Sequence, residues 1–142
     1  MKKLTELDLC NCFAARQAAR HVTKLYERHL SAAELTSAQF SILVALNEAG
    51  ELTMNELAKA LVMDRTTLLR AVKPLQRDEL VSTRAGTDDV RQLVFSVSAA
   101  GGRRLKKAFP LWNKAQREFE AVVGTHEAAR IRRDLLALAR SK

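Results

Sequence analysis

The sequence predicts a mainly helical α+β protein in which one β-hairpin sits between two groups of helices. Three observations carry that expectation. Apolar residues recur three and four apart over most of the 142 residues, which is the helical period. Between Leu80 and Ser98 the period drops to two, the strand period. Aromatic residues make up only 5 %, and Gly (5) and Pro (2) are scarce, against the needs of an all-β chain. A hydrophobic content of 47 % with 28 % charged residues is globular rather than disordered. The length predicts one domain, or one compact body with appended helices.

The first element is a long amphipathic helix from about Leu9 to Leu30, with Ala15, Ala18, Ala19, Val22, Leu25 and Tyr26 on one face and Thr5 or Asp8 as cap. Ser31 to Glu34 reads as a loop. Thr36 caps a second helix with Phe40, Leu43 and Val44 inside and Gly50 at its end. Two short helices follow in tandem. Thr53 with Glu56 three residues on forms a capping box for the first, whose inner side is Met54, Leu57, Ala58 and Leu61. Val62-Met63 make the turn. Asp64 caps the second, which carries Leu68, Val72 and Leu75 inward and is bent or weakened by Pro74. Leu80 to Arg84 is a strand, Ala85 to Val90 a tip loop, and Arg91 to Ser98 a strand with Leu93, Phe95 and Val97 on one face. From Ala99 the chain is helical again. Leu105, Ala108, Trp112, Ala115, Phe119 and Val122 form an a/d seam, expected to bury itself against a second copy. Pro110 should kink this helix, Gly124-Thr125 end it, and Ala128, Ile131, Leu135 and Leu138 repeat the spacing in a last helix.

Charge narrows the function classes. The net charge is +8, which points to a polyanionic partner, nucleic acid before a membrane surface. Its distribution is uneven: residues 1–52 are neutral, 53–98 carry +1, and 99–142 carry +7. Two Cys exclude a disulfide scaffold. Met1-Lys2-Lys3 resembles the start of a secretion signal, but Glu6 and Asp8 interrupt any apolar core behind it. The longest uncharged run, Leu35 to Asn47, is too short to span a bilayer, and a cytoplasmic location is expected. His21, His29 and His126 have no ligand spacing, so no metal or cofactor is expected. No phosphate-binding glycine loop or nucleophile motif occurs, and an enzyme is not expected.

Two short helices joined by a tight turn and followed by a β-hairpin describe a winged helix-turn-helix. Its second helix fits a major groove and its hairpin tip reaches the neighbouring minor groove. Leu35-Thr36-Ser37-Ala38-Gln39-Phe40, Leu52-Thr53-Met54-Asn55-Glu56-Leu57-Ala58 and Met63-Asp64-Arg65-Thr66-Thr67-Leu68 resemble the MarR family of bacterial transcriptional regulators. So do Leu80-Val81, Asp89-Val90-Arg91 in the wing, and Val97-Ser98-Ala99-Ala100-Gly101. The resemblance runs over essentially the whole chain. It implies an obligate homodimer held by a helix within 1–34 and helices within 99–142, with a winged domain over 35–98. Such a dimer reads a palindromic operator with half-sites about 10 bp apart.

With Leu68, Val72 and Leu75 inward, Arg65, Thr66, Leu69, Arg70 and Lys73 face the groove. Arg65 and Arg70 suit guanine edges or phosphates. Thr66 and Thr67 offer hydroxyls near the helix start. The family pattern places Arg91 in the minor groove, with Asp89 pinning it; Arg84 is a further wing candidate. Three departures bear on the binding-site sequence. Leu69 stands where the family has Thr, and Thr83 where it has Arg. Glu79 stands where a Gly ends the recognition helix, so that turn should differ.

The first helix also resembles the family's thiol-based organic-hydroperoxide sensors. Cys12 lies near its start and four residues before Arg16, both of which favour thiolate. Tyr26 stands where the sensors have a Tyr that stabilises the reduced thiolate. Cys10 is an addition, expected to lie about 200° from Cys12 around the helix and so unable to bridge to it. The sequence therefore reads as a dimeric regulator, a repressor released by a small aromatic ligand or by thiol oxidation. Two other readings remain open at this point. One is a dimeric effector-binding protein with a degraded DNA-reading face. The other is a non-specific DNA binder using Arg103, Arg104, Lys106 and Lys107.

Overall fold

The computed structural model describes residues 2–141; Met1 of the amino-terminal basic run and Lys142 lie outside them. Six helices and three short strands follow in the order α1 (Asn11–Leu30), α2 (Ser37–Ala49), β1 (Leu52–Thr53), α3 (Met54–Leu61), α4 (Arg65–Arg77), β2 (Val81–Ala85), β3 (Leu93–Val97), α5 (Ala99–Val123) and α6 (Thr125–Ala139). The fold class is the expected one. The sheet is antiparallel with order β1-β3-β2. β1 has no signal of its own in the sequence. Its two residues, Leu52 and Thr53, pair with Phe95 and Val94 and at the same time begin the next helix.

Local chemistry explains most boundaries. Thr36 and Gln39 form a reciprocal capping box at α2, and Gly50 closes that helix with φ +86°. At α3 the Thr53 hydroxyl accepts the Glu56 N–H at 3.2 Å, but Glu56 does not return the bond to the Thr53 backbone. Its carboxylate accepts the Thr53 hydroxyl proton instead, at 2.9 Å. Thr5 and Asp8 do not cap α1. They bind each other around a single 3₁₀ turn, Leu7–Leu9. The cap of α1 is Cys10, whose Sγ accepts the Phe13 N–H at 3.4 Å. Cys10 is extended (φ −86°, ψ 117°) and precedes the helix, so the helical angle expected between Cys10 and Cys12 does not apply. Neither Pro74 nor Pro110 divides its helix.

The core sits where α2, α3, α4, the sheet and the first half of α5 converge. Phe95, Leu43, Leu46, Leu57, Leu68 and Leu75 are all fully buried there. The α5 seam does not await a second copy along its whole length. Leu105, Ala108 and Ala115 are buried within the chain, and Trp112 stacks on Phe40 at 6.3 Å with Phe109 edge-on to both rings. Tyr26 donates to Gln116, and Arg28 and His29 meet Glu118 at 3.3 and 3.2 Å, tying α1 to α5. A seam of 3-4 spacing records only that a face is apolar, and here the chain's own helices cover most of it. The apolar surface left open includes the far end of the seam at Val122, 79 % exposed, together with Ala15, Ala18 and Ala19 on α1 and Leu135 and Leu138 on α6.

One junction joins the wing to α5. The Ser98 hydroxyl donates to the Glu79 carbonyl at 2.6 Å and accepts the Gly101 N–H at 3.0 Å as the α5 cap. The Ser98 N–H donates to the Leu80 carbonyl at 3.1 Å. Gly101 lies so close that a Cβ on it would stand 2.0 Å from the Leu80 oxygen and 2.9 Å from Val97 Cγ1. Glu79, at the turn after α4, takes a left-handed conformation (φ +57°) that a glycine adopts without strain and that a side-chain-bearing residue adopts only at a cost.

The two glycines of α5 separate propensity from packing. Gly101→Ala should destabilise by about 1–3 kcal/mol, because backbone must move to admit the methyl. Gly102→Ala, with nothing within 4 Å of the added carbon, should stabilise by roughly 0.5–1 kcal/mol. Urea denaturation of both variants checks this; equal effects of one sign would contradict it.

Candidate nucleic-acid interface

The α3–α4 turn sets the interface. Val62 ends α3 in a left-handed conformation (φ +51°), and the Met63 N–H closes back on the Ala58 carbonyl at 2.9 Å. Asp64 then caps α4, accepting the Thr67 N–H at 3.0 Å and the Thr67 hydroxyl at 2.6 Å. These bonds, the hydroxyl's first and the amide's second, hold the Asp64 carboxyl below its ordinary value. Thr67 is thereby committed to the cap.

Leu68, Val72 and Leu75 are buried, which turns Arg65, Thr66, Leu69, Arg70 and Lys73 outward, as the spacing predicts. Leu69 is 38 % exposed, a large apolar side chain left on that surface. The ion pairs among the described residues do not include Arg65, Arg70 or Lys73. Their charges are therefore uncompensated by carboxylates in contact. Arg65 has one polar partner, the Asn55 Oδ1 of α3, at 3.1 Å.

The wing projects beside α4. β2 and β3 pair from Val81↔Val97 to Ala85↔Leu93, leaving residues 86–92 as the tip. The Gly86 N–H donates to the Gln92 carbonyl at 2.7 Å, and a Cβ on Gly86 would meet the Asp89 carbonyl at 2.6 Å, so the tight tip requires glycine there. Asp89 Oδ1 accepts both the backbone N–H of Arg91 (3.0 Å) and its Nε–H (3.3 Å). The rest of the Arg91 side chain stands in solvent, 89 % exposed. Arg84 is placed differently. Its guanidinium donates to both carboxylate oxygens of Glu51, at 3.0 and 2.6 Å, and to the Ala85 carbonyl at 3.0 Å. That pair holds Glu51 below its usual range and raises Arg84. Arg84 thus clamps the segment before β1 to β2.

Between the start of α3, α4 and the base of the wing lies a cleft of about 270 Å3 lined by Thr53, Asn55, Arg65, Leu69, Arg91 and Gln92 among others. Asn55 and Gln92 in this cleft, and Glu51 as the partner of Arg84, are the residues that sequence reasoning missed. Asn55 is the second residue of a short helix, where a polar side chain is unremarkable.

The redox and effector candidates are separated in one chain. Cys10 and Cys12 are both exposed and share a shallow depression with Phe13, Arg16 and Arg20. Tyr26 is fourteen residues further along the same helix, about 21 Å at the helical rise. It lines a different, apolar depression with Ala15, Ala19 and Leu135. Burial raises the Tyr26 phenol, the Glu120 carboxylate adds to this, and Arg132 opposes it. Within a protomer, then, Tyr26 does not reach the Cys12 thiol.

Two helices joined by a tight turn, a third packed behind them and a projecting hairpin with an exposed arginine define a winged helix-turn-helix of the DNA-binding type. Residues 35–93 match the model of the MarR family. The chain is similar over 92 % of its length, and 94 % of the other's, to the transcriptional regulator MosR of Mycobacterium tuberculosis in complex with DNA, with 39 % identity and a TM-score of 0.82. It is 30 % identical over 95 residues to the transcriptional repressor NicR of Pseudomonas putida, and 27 % identical over 97 residues to the organic hydroperoxide resistance transcriptional regulator of Bacillus subtilis. Those matches cover 67 % and 68 % of this chain, and the chain spans 60 % and 66 % of the length of these two curated relatives. The chain belongs to the MarR family of DNA-binding transcriptional regulators. No helix among the described residues is long and apolar enough to cross a membrane.

The Asp64 cap has a pH signature with a defined sign. Its folded pKa is depressed, so its contribution is complete above the ordinary carboxylate value of 3.8 and is lost as pH falls through the lowered folded value. The stability difference between wild type and Asp64→Ala, measured by urea denaturation, should therefore shrink below pH 3.8. A difference that stays constant down to the acid unfolding limit would contradict the assignment.

Proposed function

We propose that the protein is a homodimeric, cytoplasmic repressor that binds a palindromic operator in double-stranded DNA and leaves it when an effector acts on the dimer. The observation that carries this is the set of uncompensated cations on one face of α4, Arg65, Arg70 and Lys73, beside a wing arginine held by Asp89. A row of cations aimed outward from a capped helix, with no carboxylate in contact, is suited to phosphates and base edges. Arg65 and Arg70 read base edges, Thr66 and Lys73 hold phosphates, and Leu69 packs on a thymine methyl. Thr67 and Asp89 act by holding α4 and Arg91 in place. Arg84 braces the wing through Glu51 rather than entering the groove.

The dimer forms through the open apolar surface of α1 and α6. It carries +16, which steers the protein toward DNA at long range. NicR is a repressor by name, and the Bacillus subtilis relative is named for organic hydroperoxide resistance. The exposed Cys12 with Arg16 one turn away supports release by a peroxide. The open pocket beneath Phe40, Phe109 and Trp112 supports release by a small aromatic ligand instead. The protein performs no catalysis in this reading.

Gel shifts on the DNA upstream of the protein's own coding region, against random DNA over a salt series, test the proposal. Arg70→Ala and Arg91→Ala should each weaken specific binding by roughly tenfold or more. Lys73→Ala should weaken all sequences alike and lower the salt slope by about one. Specific binding that survives both arginine changes intact would exclude this interface.

The release route has its own test. Cumene hydroperoxide should dissociate the wild-type complex, and Cys12→Ser should stay bound under the same treatment. If both release equally, peroxide does not act through Cys12.

A further inference from the structure

Of the cations in the interface, Arg65 is held in a way that the other two on α4 are not. Arg70 and Lys73 have no side-chain hydrogen bond among the described residues, whereas Arg65 Nη1 donates to Asn55 Oδ1 at 3.1 Å. Asn55 belongs to the neighbouring helix, whose start is itself fixed by the Thr53 cap and by the pairing of β1 with β3. Both side chains line the cleft between α3, α4 and the wing. We infer that Asn55 is a positioning residue that fixes the Arg65 guanidinium for a guanine edge, and so sets the base preference of each half-site at one position. This rests on the DNA-binding function proposed above.

The chemistry of the partner matters. A carboxylate at position 55 would fix the arginine equally well but cancel the charge that draws it to DNA, as Glu51 does for Arg84. A neutral amide oxygen takes one of the five guanidinium N–H groups and leaves four, together with the full positive charge. An unrestrained arginine at a helix start swings among rotamers and finds phosphates as readily as bases. Holding it before binding reduces the side-chain entropy lost in forming a two-pronged contact with guanine O6 and N7. Arg65 therefore meets its base from a geometry fixed in advance, whereas Arg70 must order on binding to reach a base edge and Lys73 supplies affinity. Asn55 fixes that geometry without touching DNA.

Selection of bound sequences from a random DNA pool, followed by salt-dependent affinity on the selected site, tests the inference. Wild type should select a palindrome with one strongly preferred guanine per half-site that Arg65→Ala makes indifferent. Asn55→Ala should reduce the preference at that same position by roughly threefold to tenfold, part of the 1–3 kcal/mol that such a pair discriminates. It should leave the other positions, the salt slope and the thermal unfolding temperature as in wild type. Asn55→Asp keeps an acceptor in place, so it should retain the guanine preference while lowering affinity for every sequence. Three results would overturn the inference: an Asn55→Ala profile identical to wild type, a loss spread over all positions, or an Asn55→Asp profile as flat as that of Asn55→Ala. Selection of no motif by the wild type would refute the function itself rather than the role of Asn55.

Discussion

The contact on which the structure turns is the approach of the α5 backbone to the base of the wing at Gly101. Four segments meet there: the turn after α4 at Glu79, the residue before β2 at Leu80, the residue after β3 at Ser98 and the first turn of α5. Ser98 bonds to the other three, and Gly101 lets α5 approach the Leu80 backbone within a distance that excludes any side chain. A glycine in the first turn of a long helix costs helix propensity. It is tolerated because the alternative is a helix displaced from the wing. The strained Glu79 on the other side of the junction shows the same ordering: local conformational preference yields to a fixed junction geometry.

Electrostatics divide the surface by a simple criterion. Most arginines with a defined partner are structural: Arg84 on Glu51, Arg104 on the Ala33 carbonyl and Glu34, Arg130 on Glu127 and Asp134. Such exposed pairs add little stability, but each removes a cation from the pool available to DNA. What remains uncompensated on α4 is a short row. The row stands out although the winged segment as a whole carries only +1 of the chain's +8. Net charge sets long-range attraction, and the unpaired residues set where it ends.

The sequence made the fold legible wherever a rule acts over a few residues. The Thr36, Thr53 and Asp64 caps, the turn at Val62, the inward row Leu68, Val72 and Leu75 and the Asp89–Arg91 contact all depend on neighbours within a turn or two. Legibility failed where the partner is distant in sequence. β1 exists because Leu52 and Thr53 meet Phe95 and Val94 some forty residues later. Arg84 reads as a wing residue until Glu51 takes it, thirty-three positions away. The α5 seam reads as an interface between copies because nothing local reveals that α1 and Phe40 cover it. Tyr26 and Cys12 belong to one helix in the sequence but do not share a site within a chain. Asn55 is illegible for another reason: its role is visible only through the side chain that it holds.

The same junction bears on how an effector could reach the DNA. Any ligand or oxidant acting on α1 or α5 can change DNA affinity only if it binds one arrangement of the dimer better than another. Tyr26, Arg28 and His29 tie α1 to the middle of α5, and Phe40 with Trp112 ties α5 to α2. At its other end α5 is seated on Leu80 with no slack, since Gly101 has already used the available space. A shift of α5 along or about its axis therefore cannot be absorbed there and must carry the wing base and the end of α4 with it. Arg91 and Arg70 would move together, because both hang on segments that meet at Ser98. In the proposed dimer, an effector that moved α5 would therefore act on the spacing between the two half-site readers rather than on the chemistry of either.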